Sequence, residues 1–275
     1  MKLAVVVVSP NPDAVSRVRA VLAVSKVLPG LELVECDVID RGFVTHLFTP
    51  TYAAVASPHV LIDASSQLND LSHNYEKAIF IRGDNDPGII EHSLLHELGH
   101  VSYQQRFPEK VKQRQAFYQR VRQAVNSNNR LSYLLAKAYT FTESNPKARV
   151  LLGLEADELY SNRFAYQFNT DKAAYTNLVN RELQMAVKTW SKGDGYFDAA
   201  FHMVVMDLYT RVTGQNWVDS LPYRLRWMLP YTVKIVDAVD KEDHVTLFGR
   251  QLLLLNALNS WVEITEEELM GILLA

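Results

Sequence analysis

The stretch from Pro87 to Pro108, PGIIEHSLLHELGHVSYQQRFP, constrains the fold more than any other part of the chain. Its apolar positions recur at helical spacing, so Ile90, Leu94, Leu98 and Val101 fall on one side. Asp86 followed by Pro87 reads as a helix start, an N-cap and then a proline at the first helical position. Pro108 sets the end, because the residue before a proline is biased out of the helical region. The other side of this helix carries His92, His96 and His100 at four-residue intervals, with Glu97 directly after the second histidine.

At 100° per residue, His96 and His100 point within about 40° of each other, one turn apart. Two imidazoles so placed can converge on one cation at about 2.0–2.1 Å each. Glu97 lies about 100° round the helix, off the ligand direction but near enough to hydrogen-bond a water on that cation. His92 sits one turn further upstream. Three histidines over two turns span about 12 Å, too far for a single ion, so His92 is expected as a polar residue near the helix start, or as a cleft wall or an outer partner of the site. The helix is expected to bury its apolar side and offer the histidine side to a cleft.

Before this helix, strand and helix patterns alternate. Residues 3–8 (LAVVVV) read as a buried strand and 13–28 as an amphipathic helix closed by Pro29 and Gly30. Residues 31–39, 59–65 and 77–83 read as further strands. After Pro108 the pattern is almost wholly helical, over 109–125, 130–142, 146–168, 171–191, 195–213, 222–239, 244–259 and 265–274. Thr265 with Glu268 forms a capping box for the last of these. The expected organisation is α+β: a mixed α/β subdomain over 1–107 ending in the histidine helix, and a helical subdomain over 108–275. The basic stretch 106–123 is expected to be a solvated helix face.

Composition narrows the function classes. Of 275 residues, 48% are hydrophobic and 21% charged, as in a globular protein with a sizeable core. A net charge of −3 gives no electrostatic footprint for nucleic acid or an anionic membrane. The single cysteine, Cys36, excludes an internal disulfide framework and suits a reducing compartment, so a cytoplasmic location is expected. The opening MKLAVVVVSPNP is β-branched, stops at Pro10 and lacks a small-residue cleavage site, so it is expected to be a strand rather than a signal peptide. No apolar run is long enough to suggest a membrane span.

A catalytic zinc takes three protein ligands and a water. Residues 151–168 (LLGLEADELYSNRFAYQF) offer Glu155, Asp157 and Glu158. On one continuous helix, Glu158 shares its face with Leu151, Leu154, Ser161 and Ala165. A cation relieves the cost of a carboxylate in such a mainly apolar face. Asp157 falls on another flank, and Glu155 at the edge is expected to be solvated or to serve a hydrogen bond. Asn162 follows Glu158 by one turn, where its oxygen can accept the spare N–H of a ligating histidine.

HELGH followed by ELYSNRFA resembles the gluzincin class of zinc metallopeptidases. It is nearest to the E-x-x-A-D/N-x-F-A helix of the CAAX-prenyl-protease group and related small intracellular gluzincins. The resemblance implies a zincin-like fold, with one zinc ion held by His96, His100 and Glu158 and with Glu97 as general base. Asn162 stands where many members have aspartate, and Ser161 replaces the usual alanine. The two motifs cover about thirty residues, so the resemblance speaks to metal site and fold more than to substrate. In that group the edge strand before the metal helix aligns the peptide substrate. The strand 77–83 would take that part, or be an interior strand with no ligand role.

The activity implied is hydrolysis of peptide bonds in a peptide or protein substrate, with Glu97 taking the water's proton and passing it to the leaving amine. Candidate oxyanion donors are His202, Tyr196, Arg224 and Arg226. His202 interrupts an apolar run and serves either as a core histidine or as that donor. The alternative function is a non-catalytic zincin-fold protein, its metal structural or its cleft a partner site.

Overall fold

The computed structural model describes residues 2–8, 11–25, 28, 30–32, 35–41, 53–56, 75–124, 129–193 and 195–274. They form two compact units: Met1–Phe107 with Tyr160–Leu178, and Pro108–Leu159 with Val179–Ala275. The sequence suggests a single cut after residue 107. The chain instead returns to the first unit for Tyr160–Leu178.

The first unit holds a four-stranded mixed sheet in the order β2-β1-β4-β3. Its strands are β1 (Lys2–Val8), β2 (Glu35–Arg41), β3 (Ala53–Ala56) and β4 (Lys77–Arg82). β1 pairs in parallel with both β2 and β4, while β3 runs antiparallel to β4. Leu3 to Val7 are fully buried, which a near-continuous apolar run achieves only in a central strand covered on both faces.

Helix α1 (Pro12–Ser25) leads from β1, and α2 (Pro87–Arg106) is the histidine helix. Asp86 caps α2, its carboxylate accepting from the Gly88 N–H at 2.8 Å. On one side of the sheet Leu3, Val5, Val7, Ile79 and Ile81 pack with Val18 and Leu22 of α1 and with Ile90, Leu94, Leu98 and Val101 of α2. Phe164 and Ala165 of α6 (Glu158–Phe168) join the same cluster. Ala4, Val6, Val8, Ala78 and Phe80 form the core of the other side.

The sheet order decides between the two readings of the strand 77–83. β4 is interior, its two edges taken by β1 and β3, so it is not the substrate-aligning edge. The antiparallel β3, which period-2 patterning does not reveal in four residues, ends the sheet order instead. The expected strand 59–65 lies outside the described residues.

The second unit is helical. It contains α3 (Pro108–Ala124), α4 (Arg130–Ser144), α5 (Pro146–Leu152), α8 (Tyr196–Thr213), α9 (Leu229–Asp240), α10 (His244–Asn259) and α11 (Glu266–Leu274), and α7 (Lys172–Lys192) enters it at Val179. Thr265 and Glu268 exchange the two hydrogen bonds of a capping box at the head of α11. The expected helix 222–239 begins as a 3-10 segment, Tyr223–Met228, before α9. The expected helix 146–168 is two helices, because α5 ends at Gly153. Gln251 stabilises the break: its side-chain amide donates to the carbonyls of Leu151 and Leu154, at 2.8 and 3.3 Å.

Candidate metal centre

The candidate site grows from the pairing of α2 with α6, whose body from Tyr160 onward belongs to the first unit. Gly99 is the point of closest approach. A Cβ there would lie 2.7 Å from the Ser161 Cα, so only glycine lets the two backbones come this near. Beyond that contact the Ser102 and Tyr160 hydroxyls share a hydrogen bond at 3.3 Å, and the Tyr103 and Tyr160 rings meet edge to face. Before it, Glu91 meets Thr170. Successive contacts thus climb α2 while descending the α6 segment, and the two run antiparallel.

Glu158 is the first residue of α6. His96, His100 and Glu158 each bring a ligand atom to within 4.8 Å of the other two. His96 Nε2 and His100 Nε2 are 3.1 Å apart. Two nitrogens bound at 2.0–2.1 Å to one tetrahedral ion are separated by about 3.3 Å, so the imidazoles already stand close to ligating distance. Two neutral imidazoles and a carboxylate also make a donor set that zinc accepts at catalytic sites. On this test the residues fit the ion.

His100 is also grouped with Glu155 and Asp157. Those carboxylates have another commitment: Arg114 pairs with both, at 3.2 Å to Glu155 and through a buried hydrogen bond to Asp157. Asp157 is fully buried, so it does not point to a free flank, and Glu155 is partly exposed and pairs with Arg114. Arg114 itself breaks the expected solvated face of 106–123. The wheel placing Glu158 with Leu151 and Leu154 fails because the helix is broken before it. Ser161 and Ala165 do follow Glu158 on α6, and both are fully buried.

The histidine side of α2 is largely buried. Glu91, His92, Glu97 and His100 are all buried, and His96 is partly so. His92 is buried and packs edge to face on Tyr175. Burial pushes the Tyr175 phenol up, and Tyr166 adds to the shift. Asn162 is buried one turn after Glu158, and its Oδ1 and the His96 Nδ1 are both shielded from solvent.

His202 lies on α8 in the second unit, partly buried beside Phe201. Burial pushes its imidazole below the usual range, Lys147 adds to that and Asp198 opposes it. Lys147 and Asp198 form an ion pair at 3.0 Å. Tyr196, Arg224 and Arg226 are exposed in the same unit, and Arg224 donates to the Trp190 carbonyl at 2.6 Å.

Glu91 and Gly99 escape sequence reasoning as site components. Gly99 carries a weak signal, a glycine inside a helical pattern, which often marks close packing. Glu91 carries none, since its partners are remote in sequence. Among the described residues, no helix is long and apolar enough to cross a membrane. In comparisons with known proteins, the chain matches no family model, no curated protein and no solved structure.

Proposed function

We propose that the chain is a zinc-dependent metallopeptidase of the gluzincin type, acting on a peptide or protein substrate. The observation that carries this is the convergence of His96, His100 and Glu158, with Glu97 adjoining the first ligand. In the proposed site His96 Nε2, His100 Nε2 and a Glu158 oxygen hold one zinc ion. When bound, zinc supplies Lewis acidity toward the scissile carbonyl and lowers the pKa of water at the site. Glu97 accepts the proton of the attacking water and returns it to the departing amine nitrogen. Asn162 offers an acceptor that orients a ligating imidazole. His202, whose imidazole is disfavoured from taking a proton by burial and by the Lys147 charge, is assigned no step.

The burial of Glu97 and His100 favours a second reading, in which the metal is structural and the protein non-catalytic. One set of measurements separates the two. Zinc is quantified after dialysis against a weak chelator in wild type, His96→Ala and Glu97→Gln, and each is assayed on a mixed peptide library. The peptidase expectation is one zinc per chain in wild type, none in His96→Ala, and zinc retained in Glu97→Gln with turnover lowered by at least about 10²-fold. Zinc binding without cleavage by wild type supports the structural reading. A wild-type chain that holds no zinc sinks both.

A further inference from the structure

Glu91 is 1% exposed and stands five residues before the first candidate ligand. Its two oxygens have different partners. Oε1 accepts from the Thr170 backbone N–H at 2.7 Å and from the Thr170 hydroxyl at 2.6 Å. Oε2 pairs with the Arg17 guanidinium of α1. Thr170 lies two residues past the end of α6, so one buried carboxylate ties the start of α2 to the far end of the helix that Glu158 begins.

A buried carboxylate is costly to hold and is retained only when paired and hydrogen-bonded, as here. For packing alone an apolar side chain would fill this place without that cost. What the carboxylate adds is direction, since three donors fix its position where an apolar contact allows sliding. Sliding matters to this pair of helices. The Gly99–Ser161 approach and the Ser102–Tyr160 hydrogen bond lie within one turn of each other, and contacts so close together let α2 pivot on α6. Glu91 and Thr170 supply a second point about 12 Å along α2. Metal ligation tolerates errors of only about 0.5 Å in donor placement, so two fixed points are needed to hold histidines on one helix against a carboxylate on the other.

We infer that Glu91 is a positioning residue for the metal centre: its clamp on Thr170 and Arg17 sets the register of α2 against α6 and thereby the convergence of His96 and His100 with Glu158. The inference rests on the metal reading proposed above.

The test is zinc affinity, measured with zinc alone by competition against a chromogenic chelator on the full-length protein, with circular dichroism and thermal unfolding on each variant. Glu91→Gln keeps an acceptor for Thr170 but loses the charge that pairs with Arg17. Glu91→Ala removes both links, and Thr170→Val removes the hydroxyl while leaving the backbone donor. Lys2→Ala, which breaks an exposed ion pair with Glu35 between β1 and β2, is the control. The expected order of zinc affinity is wild type and Lys2→Ala, then Thr170→Val and Glu91→Gln, then Glu91→Ala. The folded Glu91→Ala chain should bind at least about tenfold more weakly than wild type, the scale on which outer partners of a metal site act.

If the Glu91 variants unfold at lower temperature yet bind zinc as tightly as wild type when folded, the clamp is merely structural and the inference falls. If Glu91→Ala does not fold, Thr170→Val and Glu91→Gln decide: unchanged affinity in both overturns the inference, and weakened affinity in a folded variant upholds it. Zinc binding by wild type that His96→Ala leaves intact overturns the metal reading itself. Failure of the Glu91 series alone leaves that reading standing.

Discussion

Three carboxylates lie within four residues of one another at the head of α6, and their surroundings give them different work. Glu155 and Asp157 neutralise Arg114, and breaking that buried arrangement would strand a guanidinium away from water. Glu158 is grouped with both histidines. Glu158→Gln exchanges a charged oxygen donor for a neutral amide and is expected to weaken zinc binding by more than the 10–100-fold typical of losing an outer partner. Glu155→Gln is expected to leave zinc affinity unchanged, because Asp157 still holds Arg114. Zinc competition titration of the two folded variants checks this. Loss of metal in Glu155→Gln alone would mean that His100 pairs with the other carboxylate set.

At the scale of elements, helix propensity and helix packing pull apart at glycine. Gly99 and Gly271 both lie inside helices, where Gly→Ala favours the helix by about 1 kcal/mol. Around Gly271 nothing lies within 4 Å of an added Cβ, so Gly271→Ala is expected to stabilise the protein by up to that amount. At Gly99 the added Cβ would meet the Ser161 backbone, and α2 and α6 would have to separate. Overpacking of this kind costs about 1–3 kcal/mol, enough to cancel or reverse the propensity gain. Gly99→Ala should therefore be the less stable of the two variants by urea denaturation, and it should bind zinc more weakly than wild type. A Gly99→Ala chain as stabilised as Gly271→Ala would show that the two helices do not need this close approach.

At the scale of the whole molecule, the second unit carries an acid-sensitive element of its own. Burial lowers the imidazole pKa of His202, with Lys147 contributing, and likewise that of His244, with Arg114 and Arg120 contributing. A histidine whose folded pKa lies below its unfolded value of about 6.5 takes its proton more readily when unfolded. Its contribution is fully present above that unfolded value and is lost as pH falls through it toward the lowered folded value. Between pH 7.5 and 5.5, above the ordinary carboxylate range, the metal-free protein should lose stability. The variant His202→Leu with His244→Leu should lose less over the same interval, as read from urea midpoints at each pH. Equal losses in the two proteins would assign the acid sensitivity elsewhere.

The features that sequence by itself determined are those whose partners lie within a turn or two along the chain. Asp86, Pro87 and Pro108 bound α2, Thr265 and Glu268 cap α11, and the four-residue interval brings His96 Nε2 to 3.1 Å from His100 Nε2. A buried central β1 is legible for a similar reason, since a run of valines cannot face water on either side. Tertiary structure alone decided the rest. Whether β4 is an edge depends on β3, whose four residues carry no pattern of their own. The break after Leu152 depends on Gln251, about a hundred residues away, which takes the carbonyls that a continuing helix would have used. The role of each carboxylate near 158 depends on Arg114, and the place of Glu91 on Thr170, 79 residues later. Local spacing can align two ligands on one helix, because 3.6 residues per turn is a property of the backbone. Bringing a third ligand to them is a matter of packing between helices, and that is written only in contacts between residues far apart in the chain.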